Sequence, residues 1–393
     1  MARVAQIRWT GGYWRRLVIC ALGLTLTACG SRTASGALHG EAPPGSFLGH
    51  LQRVTQIAST VPANGDLNPY GVVVVGESSG RLVTGDILVS NFNDRGNVQG
   101  TGTTVMEISP TGQSQVFAQL TRLPPGENCP GGIGLTLALG VLPGGWVLVG
   151  SLPTTDDGTL SRRDPAGCLV VLNNEGAPVE TFTNKDLDGP WDLTVRSNPT
   201  SAVVFVSDAL GAQIDDHTGG AAGESTQVAG HSNVVRLDLT LNETSPPKLV
   251  KSVVIGTGFP WSANNAALVL APTGLALSKE GTLYVDDTDT NAVCAIPDAA
   301  TRSKAVTAGA AVISSGGALN QPLGLTITSA GDLIVMNGND GNAVEIGPSG
   351  KQLGSETVIR NGAGDLIGLA LAPTGSAILF GNDATNALDL FSG

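Results

Sequence analysis

The sequence is short of charge, aromatic rings and histidine. Charged residues make up 14% of its 393 residues and aromatic residues 4%, with three methionines and four histidines. The few cations are outnumbered, leaving a net charge of −12, which argues against nucleic acid or an anionic membrane surface as partner. None of the five cysteines forms a Cys-x-x-Cys pair, so the usual zinc framework is missing. The apolar run at 17–28 is too short to span a bilayer comfortably. There is no Gly-x-Ser-x-Gly elbow, and GTGTT at 100–104 lacks the lysine of a phosphate loop. What is abundant is glycine, 54 residues, with Val, Leu and Thr. That mixture favours short strands and tight turns, in a chain long enough to bury a core without relying on disulfides.

Arg8, Arg15 and Arg16 precede the apolar run, which ends in Leu26-Thr27-Ala28-Cys29-Gly30. Charge followed by a short apolar stretch is how an export signal reads. The segment resembles a bacterial lipoprotein signal, and the resemblance implies cleavage before Cys29 and lipidation of Cys29. Residues 1–28 are then a signal peptide, routed by the general or the twin-arginine pathway. Their loss removes four arginines and no acid, taking the net charge from −12 to −16. Residues 29–46 are small, polar and rich in Pro and Gly, as expected of a flexible tether. The expected location is the bacterial cell envelope, extracytoplasmic and lipid-anchored. Gly30 is not the Asp associated with inner-membrane retention, which favours the outer membrane where the source has two.

A pattern recurs in the remainder. Residues 272–293, PTGLALSKEGTLYVDDTDTNAV, return as PLGLTITSAGDLIVMNGNDGNAV at 322–344 and IGLALAPTGSAILFGNDATNAL at 367–388. More decorated copies start at Tyr70-Gly71, Gly134 and Trp191-Asp192. Equivalent positions fall at 71, 134, 192, 274, 324 and 368. The last two spacings, 50 and 44, suit a four-stranded propeller blade, and the longer ones carry insertions. The copy at 272–293 resembles the NHL repeat at Pro272, Gly274, Leu275, Gly281, Leu283, Tyr284, Val285, Asp287, Asn291 and Val293. The resemblance implies an all-β, six-bladed β-propeller over residues 47–393. The sixth copy stops at its third strand, while HLQRVTQIASTV at 50–61 alternates like a strand with no blade of its own. The N-terminal strand is therefore expected to complete the last blade, leaving no unpaired seam.

In such a ring the loops from second to third strand, and from blade to blade, share one face, here called the top. The extras at 92–104, 121–131, 153–167, 209–232 and 256–271 all map there, on blades 1 to 4. Loops elaborated on one face of a rigid scaffold are where binding usually resides. Cys129 and Cys168 also map to the top, close enough to suggest a disulfide, and Cys294, aligned with Arg236 and Glu345, is left as a free thiol. Tyr70, Phe92, Trp191, Phe259 and Trp261 map to top loops or strand starts, with Asp192 beside them. Aromatic rings with nearby acids suit a sugar, a peptide or a cationic group; covered blade junctions are the plainer explanation.

Catalytic signals are weak. None of the four histidines, His39, His50, His217 and His231, maps to an innermost strand, and no inward Glu stands at the strand starts. Asp287-x-Asp289-x-Asn291 opens like a calcium loop but has Ala292 where Gly is required and Asp298 where a bidentate Glu is expected. The recurrent Asn91, Asp208, Asp287, Asn337 and Asn382 are expected to bond turn backbone. The reading is a non-enzymatic, monomeric binding or scaffold module with no metal, cofactor or catalytic residue, whose partner is an envelope protein, peptide or glycan. The alternative is a divalent-metal-dependent hydrolase or lyase of the gluconolactonase-like kind.

Overall fold

Each copy of the repeat folds into antiparallel strands, because its alternating residues have two faces to bury against neighbouring copies. The computed structural model describes residues 41–134, 136–152, 167–210, 230–264 and 268–393. The signal, Cys29, the tether up to residue 40, His39 and His217 lie outside the described residues, as does most of the extras at 153–167 and 209–232.

Six blades form a β-propeller. Blade 1 comprises Leu67–Val74, Ile87–Asn93, Thr104–Ile108 and Ser114–Gln119; blade 2 comprises Thr136–Leu142, Trp146–Ser151, Cys168–Leu172 and Pro178–Phe182. Blade 3 holds Pro190–Asn198, Ser201–Asp208, Gly230–Thr240 and Lys248–Asn264, and blade 4 holds Pro272–Leu277, Leu283–Asp287, Ala292–Ile296 and Val312–Ser315. Blade 5 is Pro322–Ile327, Leu333–Asn337, Asn342–Ile346 and Gln352–Thr357. Blade 6 is Leu366–Leu371, Ile378–Asn382 and Ala387–Ser392, completed by Arg53–Ser59, which pairs antiparallel with Ala387–Ser392. The inner strand of each blade touches that of the next, and blade 6 meets blade 1.

The closing strand is held at its base. Buried Glu345 accepts N–H bonds from Phe47 (3.0 Å) and Leu48 (2.8 Å), and Leu48 and Leu51 join the core between blades 5 and 6. Hydrogen bonds to a charged group contribute about 1.5–3 kcal/mol each. The seam is also clamped from above. Asn386 Oδ1 accepts the N–H of Asn68, just before Pro69 at the start of blade 1, at 2.7 Å, and Asn291 Oδ1 does the same for Gln321, just before Pro322 of blade 5, at 2.5 Å. Asn68 and Gln321 both adopt left-handed φ, 61° and 52°, a conformation uncommon in residues other than glycine and stabilised here by the clamp. Asn291 thus serves a blade junction.

Every inner strand carries a bulge at the same place, within Pro69-Tyr70-Gly71-Val72, Thr136-Leu137-Ala138-Leu139, Pro190-Trp191-Asp192-Leu193, Pro272-Thr273-Gly274-Leu275, Pro322-Leu323-Gly324-Leu325 and Leu366-Ile367-Gly368-Leu369. The equivalent position in blade 2 is therefore Ala138, four residues beyond the Gly134 that the sequence pattern suggests. The pairing of Leu139 with Val149 decides it. Cys294 likewise pairs with Val285, the position held by Val235 and Val344 rather than by Arg236 and Glu345. A slip of one residue moves a side chain to the other sheet face, and Cys294 is fully buried there.

Two expected loops on the top differ. Much of 256–271 is strand: Lys248–Asn264 runs on past the blade, pairing Trp261 with Gly230, Pro260 with His231 and Phe259 with Ser232. The extras around blade 3 satisfy one another's backbone as a ribbon. The linker before blade 2 is joined to that blade's third strand by a disulfide between Cys129 and Cys168, with Cα atoms 5.4 Å apart.

Candidate functional site

The bulge sets two concentric layers on the axis. The upper layer comprises the six residues before the bulge position, Tyr70, Leu137, Trp191, Thr273, Leu323 and Ile367, all buried. Five are apolar or aromatic. The sixth, Thr273, shares a hydrogen bond with Thr288 (2.7 Å), whose hydroxyl donates to the Pro322 carbonyl at 2.6 Å. This layer plugs the upper end of the channel. The aromatic members make a small stack: Tyr70 meets Trp191 edge-on at 5.6 Å and Phe92 at 6.5 Å, with Phe92 and Trp191 6.3 Å apart. Trp191 Nε1 donates to the Tyr70 hydroxyl, so the ring polar atoms meet each other and leave their apolar faces for packing.

The lower layer is Gly71, Ala138, Asp192, Gly274, Gly324 and Gly368. Its small residues are a steric requirement: a Cβ on Gly274 would stand 2.5 Å from the Leu325 nitrogen, and one on Gly71 would collide with the Leu137 carbonyl. Asp192 is the exception, with its carboxylate taking N–H bonds from its neighbour Leu193 (2.8 Å) and from Leu275 of blade 4 (2.9 Å). Burial pushes Asp192 up to about 7 against the pull of those two donors. On the second strands, Ser90 and Ser207 each accept from their own blade's inner strand and donate to the next, at 3.0 Å to Leu137 and 2.7 Å to Thr273. Blade 4 has Asp286 at that position. Asp286 is fully buried, and neither of its oxygens has a hydrogen-bond partner. Burial, then the Asp192 charge, holds it well above the carboxylate range. Tyr70 is raised by burial first, then by Asp192. The two acids therefore sit together beneath the aromatic plug.

Above the plug, on the top face, lies a cavity of about 220 Å³. Tyr70, Phe92 and Trp191 line it with Leu270, Leu323 and Ile367, and its polar lining includes Asn68, Thr288, Gln321, Asn339 and Asp383. Three of the six aromatic and acidic candidates meet here. Trp261 belongs to the same buried cluster as Tyr70 and Trp191 without lining the cavity. Phe259 is fully buried between blades 3 and 4, against Val234 and Leu275. Asp192 faces the lower channel, of about 350 Å³, lined by inner strands of all six blades.

The cavity wall also comes from an unexpected quarter. Blades 5 and 6, which have the tightest top loops, supply Gly338, Asn339, Ala363, Gly364 and Asp383. Decoration had directed attention to blades 1 to 4. Asn68 and Gln321 were visible as the residues just before the Pro of a repeat, and Asp286 as the one acid in a column that otherwise holds Ser90, Gly150, Ser207, Met336 and Gly381. The recurrent Asx residues at second-strand ends bond locally: Asn91 Nδ2 to Thr60 O (2.8 Å), Asn337 Nδ2 to Ala318 O (2.8 Å), Asp208 Oδ1 to Gly189 N (2.5 Å) and Asn382 Nδ2 to Asp389 (2.7 Å). Among the described residues no group of three or more His, Cys, Asp or Glu is arranged to hold a metal ion.

No protein-family model and no curated protein matches the chain. Solved structures do resemble it. A gluconolactonase from Xanthomonas campestris superposes with a TM-score of 0.54 at 14% identity, over 90% of this chain and 93% of that one. A putative gluconolactonase gives 0.52 at 16%, over 90% and 97%. Regucalcin from Agrobacterium tumefaciens, described as a calcium-binding protein, gives 0.50 at 13%, over 86% and 94%. What they share is the propeller. At such identity the likeness extends to the fold and no further.

The acid pair makes stability depend on pH. A carboxyl whose folded value is raised binds its proton more tightly when folded, so stability is full below the ordinary value near 4 and is lost as pH rises through the folded value. For Asp192 that window runs up to about 7, and Asp287, raised to about 6 by burial, adds with the same sign. Thermal unfolding is expected at higher temperature at pH 5 than at pH 8. Asp286→Asn, which cannot ionise, should flatten that slope and raise the midpoint at pH 8. Equal midpoints at both pH values would contradict the assignment.

Proposed function

We propose that the protein is a ligand-binding module whose top-face cavity receives a small amphipathic group, free or displayed on an envelope protein, peptide or glycan. The observation that carries this reading is the upper axial layer. A hydrolase of the gluconolactonase-like kind needs carboxylate or amide oxygens converging at the channel mouth to hold a divalent ion. Here those six equivalent positions are Tyr, Leu, Trp, Thr, Leu and Ile, the Tyr70 hydroxyl accepting from Trp191 and the Thr273 hydroxyl being engaged with Thr288 and Pro322. An apolar floor with a few polar groups around it is the usual make-up of a small-molecule site.

The lipobox-like sequence at Leu26–Gly30 supports anchoring through Cys29 on the outer side of a bacterial membrane, with the propeller exposed beyond a tether. Labelled palmitate fed to cells should enter the mature protein and be lost in Cys29→Ser, with that variant released from the membrane fraction. Equal labelling of the variant would remove the anchor from this reading.

Benzyl alcohol, a neutral ring with one polar end, is a direct probe of the cavity. It should bind with millimolar affinity or better and perturb tryptophan fluorescence. Trp191→Ala should lose that binding, as should Asn339→Trp, which blocks the mouth from an exposed position and spares the core. Binding that survives both substitutions would place the site elsewhere.

A further inference from the structure

Among the described residues lining the cavity there is no lysine, arginine or histidine, and Asp383 is the one ionisable group besides the Tyr70 hydroxyl. Its carboxyl is held up to about 6 by burial first and then by the charge of Asp365. No ion pair among the described residues relieves it. The second observation is independent. Asn68, 9% exposed, lines the same cavity, and its Oδ1 is buried without a hydrogen-bond partner. Its backbone is fixed by the clamp from Asn386, so the amide cannot easily turn away to find water. An acceptor left unmade in this way costs free energy that a ligand donor would recover. Both groups accept protons in hydrogen bonds, and one carries negative charge. Across from them stand the three aromatic rings, whose faces attract cations. The volume, about 220 Å³, is below the ~300–1,000 Å³ of sites that enclose drug-sized molecules.

We infer that the cavity selects a small organic cation: an ammonium group on a flat apolar body, its N–H donors received by Asp383 and Asn68 and its apolar part packed on Tyr70, Phe92 and Trp191. This rests on the binding reading above and adds the chemical class of the ligand. A carboxylate ligand would meet Asp383 with no counter-charge in the described lining. A neutral alcohol would satisfy Asn68 but leave the half-buried carboxylate without a counter-charge.

The test is calorimetric titration of the purified protein at pH 7.5 with benzylammonium, benzyl alcohol and benzoate, three ligands of nearly one size. Benzylammonium should bind about tenfold more tightly than benzyl alcohol, the scale of one hydrogen bond to a charged group, and benzoate should be weakest. Asp383→Asn, isosteric and at a partly exposed position, should erase the advantage of benzylammonium over benzyl alcohol. Asn68→Ala should weaken both. If benzyl alcohol or benzoate binds as tightly as benzylammonium, or if the advantage survives Asp383→Asn, the class is wrong while the binding reading stands. If none of the three binds, the binding reading falls as well.

Discussion

The six inner strands come so close at their bulges that a Cβ would collide with backbone at Gly71, Gly274 and Gly368. Most of the site follows from that contact. Close approach fixes the radius of the axis, and that radius places the residue before each bulge over the channel mouth, where Tyr70, Trp191 and four smaller side chains meet as a plug. It also dictates where hydrogen bonds between blades must run, through Ser90 and Ser207, and through the Asp192 carboxylate to Leu275. The ring is closed by the same economy of elements: a borrowed strand, Arg53–Ser59, and one asparagine, Asn386, which bonds the residue leading into blade 1.

The axis departs from the other blades in one sector, where Asp192 stands at the glycine or alanine position and Asp286 at one that otherwise holds Ser, Gly or Met. Each departure breaks a local rule, and both occur side by side under the aromatic stack. Asp192 is compensated by two backbone donors, whereas Asp286 has none among the described residues, and burial raises both acids above the ordinary carboxylate value. The propeller therefore separates two environments along its axis: a buried acid pair beneath the aromatic plug, and an apolar floor opening into the top cavity.

Much of the fold was legible because a repeat is read six times over. Pro-x-Gly-Leu, the turn glycines and the unfinished sixth copy together gave blade number, order and closure. Register failed where decoration diluted the pattern: Gly134 in CPGGIGL mimics the bulge glycine that blade 2 replaces with Ala138. A one-residue slip also misaligned Cys294 with Arg236 and Glu345. The site was legible in half. Tyr70, Phe92 and Trp191 stood out because aromatics are rare in the chain. Phe259 was misplaced because its loop is a strand whose pairing with Ser232 turns the ring inward. Asn68, Gln321, Asn339 and Asp383 escaped notice because they are ordinary turn residues in sequence, and only ring closure brings blades 1, 5 and 6 together around one cavity.

The central claim is that the channel mouth is an apolar floor for a ligand and not a seat for a divalent ion. Equilibrium dialysis of the purified protein against calcium, zinc and manganese in turn, followed by elemental analysis, tests it most directly. The account predicts far less than one retained ion per chain for each metal, and no change in retention in Trp191→Ala. One tightly held ion per chain, lost when residues of the channel mouth are substituted, would contradict it.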